Sequence, residues 1–271
     1  MDLYVEVIID AYGGRGRGAV IRQWFDYWES VLFAGREGNA GVRWSGGVVR
    51  TANDRSVNFV DRPERRRAFV MELCDAPFWA EASLNTDNEE QLTRVRTFPS
   101  IFDDPKYLSL SATVPCTDDE ARDAEFCSQV ASSVAESCAS LNPAFGRVEH
   151  GFFDDRTNLD VGLRRRPAMS VRESRNTLRG YAWVTILPEE LLRRIGGTAT
   201  LEKSGAFFRV CPLPAGGAML QASPTVASCT DSVLEAVFRS LARVLPRGVP
   251  SPHVAFPGVR FIPQDAGVVG L

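Results

Sequence analysis

The chain is poor in the residues that most metal and hydrolytic chemistry uses. It has two histidines, His150 and His253, in 271 residues. Neither has a second His, Cys, Asp or Glu at metal-ligand spacing, so no metal and no cofactor are expected. Six cysteines without a single C-x-x-C argue against a disulfide scaffold, a redox motif or a zinc ribbon. No Gly-Lys-[Ser/Thr] occurs, which removes a Walker-type phosphate loop. No apolar run reaches the ~18 residues that a membrane span needs. The opening MDLYVEVIIDAYGG lacks a basic leader and a small-residue cleavage site, and reads as a strand. A cytoplasmic chain with no membrane partner is expected. An excess of positive charge is also missing: 31 Lys and Arg stand against 34 Asp and Glu, for a net charge of −3. A nucleic-acid partner is therefore not expected.

Hydrophobic residues make up 44% and charged residues 24% of the chain, enough apolar material for a substantial core. Leu3–Ile9 predicts a strand, followed by Gly13-Gly14-Arg15-Gly16-Arg17-Gly18. A helix is expected from about Ala19 to Phe33, because Val20, Ile21, Trp24, Phe25, Trp28, Val31 and Leu32 recur at steps of three and four. Strands are expected at Gly41–Arg50 and across Ala68–Thr86, the latter broken near Pro77. Asn85 to about Lys106 reads as a polar connection. The expected division is an N-terminal half at 1–98, a C-terminal half at 106–246 and a Pro/Gly-rich tail at 247–271 that wraps the surface or frays.

The second half opens with Tyr107–Val114, alternating as a half-buried strand. Thr117-Asp118-Asp119-Glu120 fits a capping box for a helix continuing to about Ser140. Cys127 and Cys138 fall on its apolar face and read as small core residues. Phe145–Phe153 and Arg179–Ile186 predict strands, and a short helix is expected near Val171–Asn176. Pro188 is expected to open a helix that Gly196 closes. Pro214-Ala215-Gly216-Gly217 marks a hairpin, and Thr230 a cap for the helix carrying Leu234, Val237, Phe238 and Leu241. The order predicts an α+β fold: largely antiparallel sheet layers with amphipathic helices on one face, as two halves of similar layout.

Chemistry is harder to find. Gly14-Arg15-Gly16-Arg17-Gly18-Ala19 satisfies G-x-G-x-x-[GA] between a strand and a helix, an anion-binding pattern in which Gly14, Arg15, Gly16 and Arg17 would meet the anion. The acid-ending strand that should follow is missing, which favours a surface turn. Glu149 adjoins His150, but neighbouring strand residues face apart. Asp154, Asp155 and Asp160 lack the central glycine of a calcium loop. Arg164, Arg165 and Arg166 form a basic cluster with acidic neighbours, either solvated charge or a patch for an acidic partner. Tyr181 and Trp183 serve either as core or as interface anchors.

Arg179-Gly180-Tyr181-Ala182-Trp183-Val184-Thr185, Ile195-Gly196-Gly197, Ser204-Gly205-Ala206-Phe207 and Gly216-Gly217, preceded by Leu141-Asn142-Pro143-Ala144-Phe145-Gly146, carry a resemblance. In these segments the second half resembles a group of uncharacterised actinobacterial proteins. That group is distantly similar to bacterial immunity proteins that neutralise secreted or polymorphic toxins, including the type VI immunity class. The resemblance implies a non-enzymatic protein that binds a cognate toxin in the producing cell. Arg164–Arg166, Tyr181 and Trp183 are then the residues expected at the partner surface. The alternative is an enzyme or small-ligand-binding protein of specialised metabolism that uses the Gly13–Gly18 loop. A structural subunit that self-associates through a sheet edge is a third reading.

Overall fold

A computed structural model describes residues 4–34, 36, 42–53, 56–60, 63–85, 93–150 and 156–270. The fold is α+β, and the strand pairings within each unit are antiparallel. The chain divides into two compact units, Met1–Cys116 and Thr117–Leu271.

The first unit runs β1 (Tyr4–Tyr12), α1 (Arg17–Leu32), β2 (Arg43–Val49), β3 (Ser56–Val60), α2 (Pro63–Cys74), β4 (Trp79–Asn85), β5 (Thr93–Pro99) and β6 (Tyr107–Pro115). Its strands lie in the order β3-β2-β4-β5-β6-β1. The expected stripe of α1 buries Ile21, Trp24, Phe25, Trp28 and Leu32, while Val31 stays exposed. Each fully covered Phe or aliphatic side chain is worth roughly 1.5–3 kcal/mol, which holds α1 on β5 and β6.

Three expectations are corrected here. The stretch from Ala68 is the end of helix α2, where Phe69 and Leu73, four residues apart, are buried and Phe69 meets Phe25 edge-on. The expected connection contains β5, whose Thr93, Val95 and Thr97 are buried between β4 and β6. The division between units falls after Cys116 and not at 99–105, because β6 pairs with β1 along its whole length, from Tyr4 opposite Pro115 to Tyr12 opposite Tyr107. The polar residues of β6 are buried too, Ser109 donating to the Asp10 carboxylate at 2.7 Å.

The second unit runs α3 (Ala124–Ser137), β7 (Pro143–His150), α4 (Asn158–Gly162), α5 (Pro167–Glu173), β8 (Val184–Leu187), α6 (Glu189–Ile195), α7 (Thr198–Ser204), β9 (Arg209–Pro212), β10 (Ala218–Gln221), α8 (Asp231–Leu241) and α9 (Ala266–Val269). Its strands lie in the order β7-β8-β10-β9. The Thr117–Glu120 box forms but opens a single 3-10 turn. Asp123 then recaps the chain by accepting from the Glu125 and Phe126 amides. Gly196 takes the left-handed cap at φ 101°. Gly216 and Gly217 turn the hairpin at φ 97° and 82°, and a Cβ on Gly217 would sit 2.3 Å from the Leu187 carbonyl oxygen. Thr230 precedes α8 without a capping hydrogen bond from its side chain. The end of the strand expected to reach Phe153 lies outside the described residues.

Arg179–Trp183 is not a strand. Its backbone is bound by side chains of the α4 start: Thr157 Oγ1 donates to the Arg179 carbonyl at 2.6 Å, and Asn158 Nδ2 donates to the Tyr181 carbonyl at 2.9 Å. The Tyr181 amide returns a bond to Asn158 Oδ1. Beneath this segment lies a buried ion pair. Arg179 Nη2 donates to Asp160 Oδ2 at 2.8 Å, with side chains 2% and 0% exposed. Ser170 Oγ donates to Asp160 and accepts from Arg179 Nε. The guanidinium also stacks 5.7 Å from the Phe145 ring centre. The tail after 246 follows the surface and is pinned at two points: the Ser251 amide donates to the Gly162 carbonyl and the Ile262 amide to Tyr181 Oη.

Removing one partner of such a pair strands the other charge in the interior. Arg179→Met should therefore lower the unfolding free energy by about 3–5 kcal/mol in urea titration, and a loss under about 1 kcal/mol would contradict the pair's role.

Candidate functional site

The second unit holds a cavity of about 410 Å³. The end of β7 brings Glu149 and His150 to it, α4 brings Asn158, and the bound segment supplies Tyr181 and Trp183. Asp118, Arg122, Cys229 and Arg260 complete its polar lining. Glu149 and His150 thus line one space, although strand alternation predicts opposite faces.

Tyr181 and Trp183 are 2% and 4% exposed and offer no outward surface. Tyr181 packs against Phe238 at 6.1 Å, and burial pushes its phenol up to about 12, against the Ile262 amide that donates to it. Trp183 Nε1 donates to the Ser223 carbonyl at 3.0 Å. These aromatics belong to the core and the cavity floor, and the interface-anchor expectation is not what the structure places there.

Burial also raises the Cys229 thiol, with the Arg260 charge opposing, so the sulfur is held as a weakly nucleophilic thiol. Burial raises Glu149, and Arg147 opposes at 3.3 Å. It lowers His150, with the Asp118 charge opposing. Arg260 is engaged by Asp231 at 2.7 Å. The charges around this cavity are of mixed sign. Among the described residues no group of three His, Cys, Asp or Glu comes together to hold a metal ion.

The basic cluster is divided. Arg165 is mostly buried, pairing with Glu173 at 3.1 Å and facing Asp160 at 3.7 Å. Arg166 is exposed just before α5. Arg164 is exposed and lines a cleft of about 420 Å³ with Arg165, Arg247 and Val249. Sequence order hides Arg247, which reaches this place because the tail is pinned to Gly162. Of the three acids weighed for a calcium loop, Asp160 is the buried hub described above, and Asp154 and Asp155 lie outside the described residues.

The glycine loop is occupied by packing. Gly14 sits at φ 50° in a 3-10 turn, Gly14–Gly16, that runs directly into α1. The Arg17 side chain is buried and donates to the Phe78 carbonyl at 3.0 Å, so it is turned away from any ligand over the loop. The Arg15 side chain lies outside the described atoms. A Cβ on Gly18 would stand 2.3 Å from the Cys74 carbonyl oxygen: the glycine lets the end of α2 cross the start of α1. No described helix is long and apolar enough to cross a membrane.

No family model matches the chain, and no curated protein matches it. Among solved structures it is similar to the Pseudomonas aeruginosa T6SS protein PA0821, with a TM-score of 0.56 and 14% identity over 90% of this chain and 76% of that one. At that identity the likeness is one of fold.

Two measurements check these environments. Alanine normally improves a helix position held by glycine, by up to about 1 kcal/mol, yet Gly18→Ala should cost about 1–3 kcal/mol in chemical unfolding because the new methyl overlaps a carbonyl. In an NMR titration His150 should protonate below the ordinary imidazole value, and Asp118→Asn should lower it further by removing the opposing charge. With the folded pKa depressed, the unfolded chain takes up the proton first. The stability linked to neutral His150 is complete above the unfolded value and is lost as pH falls from there toward the folded one.

Proposed function

We propose that this chain is a T6SS-associated immunity protein that binds a cognate toxin directly and performs no catalysis itself. The observation that carries the reading is the fold likeness to a T6SS protein across nine-tenths of the chain. It coincides with a sequence resemblance, in Arg179–Thr185, Gly196-Gly197 and Gly216-Gly217, to a group of actinobacterial proteins that is itself distantly similar to toxin-immunity proteins. Those residues build the second unit: they bind α4, cap α6 and turn the β9–β10 hairpin. On this reading they are scaffold, and affinity comes from the surfaces they hold. The protein would act in the cytoplasm of the producing cell, by occluding the toxin.

A second reading has one observation in its favour. A cavity of about 410 Å³ lies within the ~300–1,000 Å³ of small-ligand sites, and a lining of Tyr181 and Trp183 with Glu149, His150 and Cys229 suits a polar ligand. This replaces the glycine loop as the place where a ligand would bind, since Arg17 and Gly18 are committed to packing.

Co-expression with the product of the adjoining gene, followed by size-exclusion chromatography with light scattering, tests the first reading. A stable complex, together with restored growth of cells expressing that product, is the expected result. Loss of both, with thermal stabilisation by a small molecule that Trp183→Ala abolishes, would favour the second.

A further inference from the structure

We propose that the cleft between the end of α4 and the start of the tail is the docking site for an acidic segment of the protein partner, carboxylates flanking an apolar side chain. The inference rests on the immunity reading only for the kind of partner.

Arg164 occupies a position that favours glycine. It is the first residue past the cap of α4, at φ 53°. Its amide donates to the Val161 carbonyl and the Arg165 amide to the Asp160 carbonyl, the paired bonds of a Schellman turn, whose left-handed residue is usually Gly. A side chain there is strained. After α6 and α7 the same demand is met by glycine, at Gly196 and Gly205; just past the end of α2 it is met by Ala76, at φ 54°. The strain at Arg164 has no return within the fold: among the described residues its guanidinium makes no hydrogen bond or ion pair, and the residue is exposed. Non-glycine residues in this region gather at functional sites.

A second, independent placement supports it. Gly162 carries no Cβ, which would meet Pro250 at 2.7 Å, so the tail can close on α4 through the bond from the Ser251 amide to Gly162. This sets Arg247 beside Arg164 in a cleft whose lining contains no carboxylate. Arg247 likewise makes no ion pair among the described residues; Asp265, which acts on it through space, spends its Oδ1 on the Gly248 and Gly267 amides. The cleft lining is therefore net positive, with Asp265 the nearby carboxylate, and a further anion is drawn to it. Leu163, Pro246 and Val249 supply apolar lining, and Val249 is 63% exposed.

The composition of this cleft selects among anions. Nucleic-acid binders neutralise about 6–10 phosphates along a track, whereas two free guanidiniums on a chain of net charge −3 match one or two carboxylates. Guanidinium forks bind carboxylates in a bidentate fashion, and the adjoining apolar wall suits a protein segment.

The test uses the full chain and a fluorescein-labelled peptide of four glutamates around one leucine, read by fluorescence anisotropy at low and physiological salt. Wild type should bind, more weakly as salt rises. Arg164→Gly should weaken binding about tenfold, the loss of one charge-assisted hydrogen-bonding group, while raising the thermal midpoint by relieving strain. Arg164→Gly with Arg247→Ser should weaken binding about a hundredfold if the two act independently, and Arg193→Ser, on α6, should change nothing. Absence of binding by wild type, equal binding by the double variant, or tighter binding of a DNA duplex than of the peptide would each overturn the proposal. The adjoining gene product separates the two readings: a complex formed equally well by the double variant sinks the cleft alone. No complex with wild type, alongside cleft-dependent peptide binding, sinks the immunity reading alone.

Discussion

The second unit depends on one buried charge pair. Asp160 and Arg179 stand 2.8 Å apart with both side chains out of solvent, and each charge is met by further partners. Asp160 accepts from Ser170 of α5 and from the Thr157 amide; Arg179 lies over Phe145 of β7. Desolvating two charges is costly, and three donors gathered on Asp160 Oδ2 offset it, while Oδ1 makes no hydrogen bond among the described residues and faces the Arg165 guanidinium at 3.7 Å. What the pair supplies is position. It ties α4, α5, β7 and the Arg179–Trp183 segment to one point, and the cavity and the basic cleft are both built on elements that meet there.

Much of the scaffold was legible because its signals are local. Gly196, Gly216 and Gly217 stand where the backbone needs positive φ, and the α1 stripe follows from helical spacing alone. The errors arise where a distant partner decides. Phe69 and Leu73 look like strand residues until α1 covers them, and the arginines before them hide the helical period. β5 alternates Thr and Val with Arg94 and Arg96, so it reads as polar; Arg96 is in fact satisfied by Glu6, ninety residues away, at 2.7 Å. Arg179–Trp183 alternates like a strand, but the side chains of Thr157 and Asn158 take its backbone bonds before any neighbouring strand can.

The candidate sites divide in the same way. The cluster Arg164–Arg166 is visible in the sequence as charge, yet its three members have three fates: one exposed in a strained turn, one half-neutralised in the interior, one on the surface. Nothing near them in sequence announces Arg247. The cavity gathers Asp118, His150, Tyr181, Cys229 and Arg260 from across the unit, with no spacing that a motif could express. Tyr181 and Trp183, conspicuous in the sequence, are buried where Phe238 and the Ser223 carbonyl hold them.

The pinning of the tail has a consequence for how the chain is made. The first unit is complete once Cys116 has been synthesised, since all its strands precede that point. The second is not: Asn158 and Tyr181 wait for the backbone of Arg260 and Ile262, and Gly162 waits for Ser251. On the ribosome the two units therefore mature at different times. The earlier one can fold while the later one is still emerging, and the cleft holding Arg164 and Arg247 comes into being only once the tail has followed.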